Sequence, residues 1–126
     1  MSTLNVANIT DGTDTVATGY VVNGSAKAWV NFNGTGTVAI RDSLNVSSLT
    51  DNSAGNYTIN ITSAFANTSV SCPSSAHDVG VYWMTSPRTR ATTTSTVEHT
   101  MATVTGNAPV VADTSLNSVA VFGDLA

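Results

Sequence analysis

The sequence predicts an all-β fold, an antiparallel β-sandwich or small barrel with little or no helix. Short runs of alternating apolar and polar residues are punctuated by turn signals every eight to twelve positions. Charged residues make up 10% of the 126 residues, against roughly 25% in an ordinary soluble domain. Glu98 is the sole glutamate and Lys27 the sole lysine, so the long polar side chains and i,i+4 ion pairs that support solvent-facing helices are scarce. Threonine and valine, abundant here, favour strands instead. The length suits one domain that buries roughly two-thirds of its unfolded surface.

Along residues 1–18, sparse apolar positions at Leu4, Val6, Ile9 and Val16 surround an Asp11-Gly12 turn. We read residues 1–19 as an N-terminal arm or attachment segment and residues 20–126 as a single β domain. Tyr20 and Val22 begin a stronger alternation. In the next strand Ala28, Val30 and Phe32 share one side while Lys27, Trp29 and Asn31 share the other. Asn33-Gly-Thr-Gly36 then supplies the positive-φ positions of a hairpin, and Val38 and Ile40 resume the apolar face. Leu44, Val46 and Leu49 are separated from Tyr57, Ile59 and Ile61 by the turn-rich segment 51–56, which reads as a second, long-looped hairpin. A strand at 68–71 is expected to stop at Cys72-Pro73. The apolar run Gly80-Val-Tyr-Trp-Met-Thr85 ends at Pro87, before Arg88 and Arg90. Residues 91–105, rich in threonine with Val97, Met101 and Val104, suit one or two half-exposed strands. A break at Asn107 to Pro109 precedes the last strand, Ser118-Val-Ala-Val-Phe122.

The net charge is −4, and Lys27, Arg41, Arg88 and Arg90 form no basic cluster, so nucleic acid is not an expected partner. No window approaches the ~20 apolar residues of a membrane helix, and the N-terminus lacks the pattern of a secretory signal. Membrane insertion is therefore not expected. The single cysteine, Cys72, excludes an intramolecular disulfide and reads as a small strand-end residue. His77-Asp78 and Glu98-His99 are the two acid–histidine neighbours. Adjacent strand residues point to opposite faces, so neither pair converges on a metal, and both read as surface-loop polarity. There is no Gly-x-Ser-x-Gly elbow and no phosphate loop. No catalytic, cofactor-binding or metal residue is assigned, no cofactor is expected, and the chain is not expected to be an enzyme.

The string Ala28-Trp-Val-Asn-Phe-Asn-Gly-Thr-Gly-Thr-Val-Ala-Ile-Arg-Asp-Ser43, continued by Asn45-Val-Ser-Ser-Leu-Thr-Asp-Asn52 and Tyr57-Thr-Ile-Asn-Ile61, resembles a β domain of bacteriophage tail-fibre and other virion structural proteins. The ending Asn117-Ser-Val-Ala-Val-Phe-Gly-Asp124 resembles the close of such domains, whereas residues 63–117 match weakly. The resemblance implies a homotrimeric short tail-fibre subunit in the virion, on the tail or capsid surface. It would join other virion proteins through an arm carrying Leu4, Val6 and Ile9, and would touch a glycan or protein of the host surface. A capsid decoration protein or tail adaptor is the alternative within that class, and a carbohydrate-binding module the alternative outside it.

Large exposed rings are uncommon without a partner. Trp29, with its face neighbours Lys27 and Asn31, is therefore read as an oligomer interface. Tyr82, Trp83, Arg88 and Arg90, around a loop, are read as candidate receptor contacts.

Overall fold

The computed structural model describes residues 1–77, 85–105 and 108–126, with residues 85, 86, 103–105 and 108 described by their backbone. A small hairpin comes first, β1 (Asn8–Thr10) paired antiparallel with β2 (Thr15–Ala17), and runs into the helix α1 (Thr18–Gly24). The rest forms an antiparallel β-sandwich. One sheet has the order β4-β3-β11-β7, from β3 (Ala28–Asn33), β4 (Ala39–Leu44), β7 (Ser74–His77) and β11 (Leu116–Val121). The facing sheet holds β5 (Val46–Ser53), β6 (Asn56–Ile61), β8 (Thr85–Thr93), β9 (Thr96–Thr105) and β10 (Ala108–Val111). In it β9 is central: β8 pairs along one edge, while β6 and β10 lie end to end along the other.

Strict alternation places the core. Ala28, Val30 and Phe32 of β3 and Val119 and Val121 of β11 face Tyr57, Ile59 and Ile61 of β6 and Val97 and Met101 of β9, and all are buried. Burying each large side chain contributes about 1.5–3 kcal/mol. Phe32 is the centrepiece. Its ring meets Tyr57 edge-to-face at a centroid distance of 5.1 Å and His99 at 5.8 Å, the geometry that the ring quadrupoles favour.

Several elements differ from the sequence expectation. Tyr20 and Val22 sit in the seven-residue helix α1, which has no side-chain cap and buries no residue. The second hairpin is tight: β5 runs on through Asp51 to Ser53 and turns at Ala54-Gly55, because Gly55 adopts φ +63°. Residues 68–71 contribute one isolated bridge, Ser71 to Phe122, and the strand lies beyond Pro73, at β7. Pro87 does not end a strand. It sits within β8 opposite Met101, where the absent N–H costs no ladder bond because β8 is an edge strand. Residues 96–102 are less exposed than expected, because β9 is flanked on both edges and turns Val97, His99 and Met101 fully inward. Most of the apolar run at 80–85 falls outside the described residues.

Two turn glycines have the same left-handed backbone but different surroundings. A Cβ on Gly36 (φ +64°) would meet nothing within 4 Å, whereas one on Gly55 would lie 2.6 Å from the Ala112 carbonyl oxygen. Gly36→Ala is expected to cost about 1 kcal/mol, the ordinary left-handed penalty. Gly55→Ala is expected to cost at least about 2 kcal/mol more, because backbone must move. Urea unfolding of both variants measures the difference, and equal losses would contradict the register around Gly55.

Candidate functional site

The crossing from β10 to β11 carries a cluster of polar groups into the sandwich. Asp113 Oδ1 accepts from Gly55 N at 2.6 Å and from the Tyr57 hydroxyl at 2.7 Å, with Gly34 O 3.0 Å from the same hydroxyl. Burial first, and the adjacent Asp113 carboxylate second, hold the Tyr57 phenol well above its ordinary range. It is a neutral donor. One layer deeper, the Asn117 amide donates to Thr114 O (2.9 Å) and accepts from Thr114 Oγ1 (2.7 Å). That fixes its oxygen toward His99 Nε2 at 3.4 Å, so the imidazole carries its proton on Nε2 and Nδ1 faces the Thr89 hydroxyl at 2.8 Å. Thr89 in turn reaches Ser74 Oγ at 2.8 Å. Side chains of β7, β8, β9 and β11 are thereby linked through one buried histidine.

The Glu98-His99 neighbours thus lie in the centre of β9 and not in a surface loop. Alternation still separates them as expected: His99 is fully buried, while Glu98 faces out and pairs with Arg90 at 2.8 Å. Although nucleophilic and basic groups adjoin in Ser74, Thr89 and His99, burial lowers the His99 pKa to about 4, opposed by the Asn117 bond. Such a group is a poor general base near neutral pH. The arrangement satisfies buried polar atoms: no buried side-chain N or O among the described residues lacks a partner.

Three surfaces remain. The first is a cleft of about 730 Å³ between β7 and β8, lined by Ser74, Thr89, Arg88, Arg90, Glu98 and Thr100 among others. It brings Arg88 and Arg90 together, while Tyr82 and Trp83 lie outside the described residues. Arg90 is committed to Glu98, and Arg88 has no ion pair or hydrogen bond among the described residues. Cys72 also borders this cleft, and burial pushes its thiol pKa up.

The second is the outer face of the β4-β3-β11-β7 sheet. Trp29 stands there half-buried beside a depression of about 420 Å³. Asn31 shares the face and donates to Ser118 Oγ at 2.7 Å. Lys27 is drawn away, its ammonium donating to Val22 O, Ser25 O and Ser25 Oγ, which anchors the end of α1. The third surface is the arm: Leu4, Val6 and Ile9 are all exposed, and so are Val16, Tyr20, Val21 and Val22.

No helix among the described residues is long and apolar enough to cross a membrane. Comparison with protein-family models, curated proteins and solved structures finds no match.

The buried histidine gives the fold a pH limit of known sign. Its ordinary pKa of 6.5 falls to about 4 on folding, so between those values the unfolded chain binds a proton that the folded chain refuses. The resulting stability is complete above pH 6.5 and is lost as pH falls toward 4. Between pH 7 and 4.5 the loss is about 2 kcal/mol from this residue. Urea unfolding at the two pH values is expected to show a drop smaller by that amount in His99→Gln than in the unsubstituted chain. Parallel behaviour of the two proteins would contradict it.

Proposed function

We propose that this chain is a virion structural protein, a short tail-fibre subunit whose β-sandwich is displayed on an arm that joins it to copies of itself and to other virion proteins. One observation carries the reading: none of residues 1–25 is buried, and the arm nonetheless holds several large apolar groups, with Leu4 81%, Tyr20 77% and Val22 58% exposed. A two-stranded hairpin is marginal in water on its own. So is an uncapped helix of seven residues. Apolar surface of this extent on an element with no core of its own marks an interaction segment.

Self-association in a closed ring satisfies the arm economically, since each copy presents and covers the same groups. The resemblance of residues 28–61 and 117–124 to tail-fibre domains supports a threefold assembly with the sandwich directed outward. The β7–β8 cleft with Arg88 and Arg90 would then be one surface available to the host, as loops and edges of a rigid sandwich commonly are.

Light scattering at micromolar concentration is expected to give three times the 12.9 kDa chain mass. The double substitution Ile9→Asp with Tyr20→Ser is expected to return the mass to one chain. The melting of the sandwich in the dissociated variant should match that of the unsubstituted chain diluted to a monomer, because neither side chain touches the core. A monomeric unsubstituted chain would sink the trimer. A double variant that still forms the full assembly would remove the arm from its role.

A further inference from the structure

We propose that the outer face of the β4-β3-β11-β7 sheet is a carbohydrate subsite that stacks one pyranose ring on Trp29. This goes beyond the fibre reading and does not depend on it, since the arm and this face are separate surfaces.

Two neighbouring rows of side chains make the argument. Across the strands, Trp29 lies between Leu44 of β4 and Ala120 of β11, a strip in which the flanking alanine leaves the indole open on that side. Its indole N–H has no hydrogen-bond partner among the described residues and is not buried. The next row, about 7 Å further along the strands, is polar: Asp42, Asn31, Ser118 and Ser75 stand side by side.

That second row is held in place before any ligand arrives. The β3–β4 register slips between Asn31 and Phe32, and Arg41 is the extra residue. Such a bulge re-aims a side chain. Here the guanidinium reaches Asn31 Oδ1 at 3.4 Å and the Ser115 carbonyl oxygen at 2.5 Å. Asn31 passes its own N–H to Ser118 Oγ, which leaves the Ser118 hydroxyl proton, the second Asp42 carboxylate oxygen and remaining Arg41 N–H groups to face outward. An open aromatic face beside ordered amide, carboxylate, hydroxyl and guanidinium groups matches a sugar, whose ring carries a C–H face and an equatorial belt of hydroxyls. The depression beside Trp29, about 420 Å³, is lined by Asn31, Ser75, Ser118 and Ala120, with Asp42 and Arg41 outside it on the β4 side, and its size falls in the roughly 300–1,000 Å³ range of small-molecule sites. A second copy of the chain fits less well. A stable interface buries about 800 Å² per partner around an apolar centre, and here one ring, one leucine and one alanine stand against a fully polar row.

The test uses the full chain and a panel of methyl pyranosides (glucoside, galactoside, mannoside and N-acetylglucosaminide) with their short oligomers. Binding is read by saturation-transfer NMR and by shifts of the two indole N–H signals, and the mass is followed by light scattering. At least one pyranoside is expected to bind at millimolar concentration and to move the Trp29 indole signal, identified by its disappearance in Trp29→Ala. That variant should lose binding roughly tenfold or more with unchanged mass, while Arg41→Ala should weaken binding without abolishing it. Ala120→Arg, which covers the indole and keeps it, should abolish binding even if Trp29→Ala fails to fold. Failure of every sugar in the panel to bind, or binding that survives Ala120→Arg, would overturn the proposal. A change of mass in Trp29→Ala would also overturn it and make this face a subunit interface. The mass of the unsubstituted chain tests the fibre reading separately.

Discussion

Asp113 holds one end of the sandwich closed, and much of the rest depends on that contact. Its carboxylate takes the Gly55 amide from the β5–β6 turn and the Tyr57 hydroxyl from β6, while the adjoining Thr114 carbonyl takes the Gly34 amide from the β3–β4 turn. Turns of both sheets therefore end on one four-residue crossing, from Ala112 to Ser115. A carboxylate that accepts two protein donors forms charge-assisted bonds, stronger than their neutral counterparts. Removing one member would leave the others buried and unmet, which costs more than the bond itself contributed. The close approach also explains why Gly55 has no side chain: Ala112 backbone occupies the space. With that end fixed, Phe32, Tyr57 and His99 are brought edge-to-face, and the Asn117 amide is set where it selects the histidine tautomer.

The sandwich was legible where pattern decides structure. Ala28, Val30 and Phe32 alternate cleanly, and so do Tyr57, Ile59 and Ile61, and in both strands the expected face is the buried one. Reading failed where tertiary context overrides local signal. Asp51, Asn52 and Ser53 have the composition of a turn, but they lie in β5 because the residue that turns the chain is Gly55. Tyr20 and Val22 fit a strand or a helix equally, and with no core beneath them neither period is enforced. Pro73 and Pro87 carry the local signal of strand ends. Pro87 is accommodated within an edge strand, and the β7 strand begins after Pro73, consequences of sheet order that a sequence does not display.

The functional surfaces were less legible, for the same reason. Trp29 was recognisable as an outward ring, and Asn31 as its face neighbour. Lys27 shares their parity, but its flexible stem bends back to the end of α1. Nothing local marks Arg41 as part of that face, since its orientation depends on a one-residue slip between β3 and β4. Asp113 and Asn117 carry no motif: Asp113 matters through Tyr57 and Gly55, 56 and 58 positions away, and Asn117 through His99, 18 positions away, partners that meet them only in the fold. The arm was visible as a sparsely apolar leader, and the structure adds that its apolar groups are exposed among the described residues. In the proposed fibre subunit, the sandwich closed by buried polar bonds would serve presentation and the exposed N-terminal segment assembly.

Amide hydrogen exchange as a function of protein concentration tests that division most directly. The account predicts that β3, β6, β9 and β11 are protected as one cooperative unit at every concentration. Amides of residues 8–24 should exchange rapidly in dilute monomer and become protected as the concentration rises. Protection of those arm amides in a dilute monomer, or rapid exchange in the concentrated protein, would contradict it.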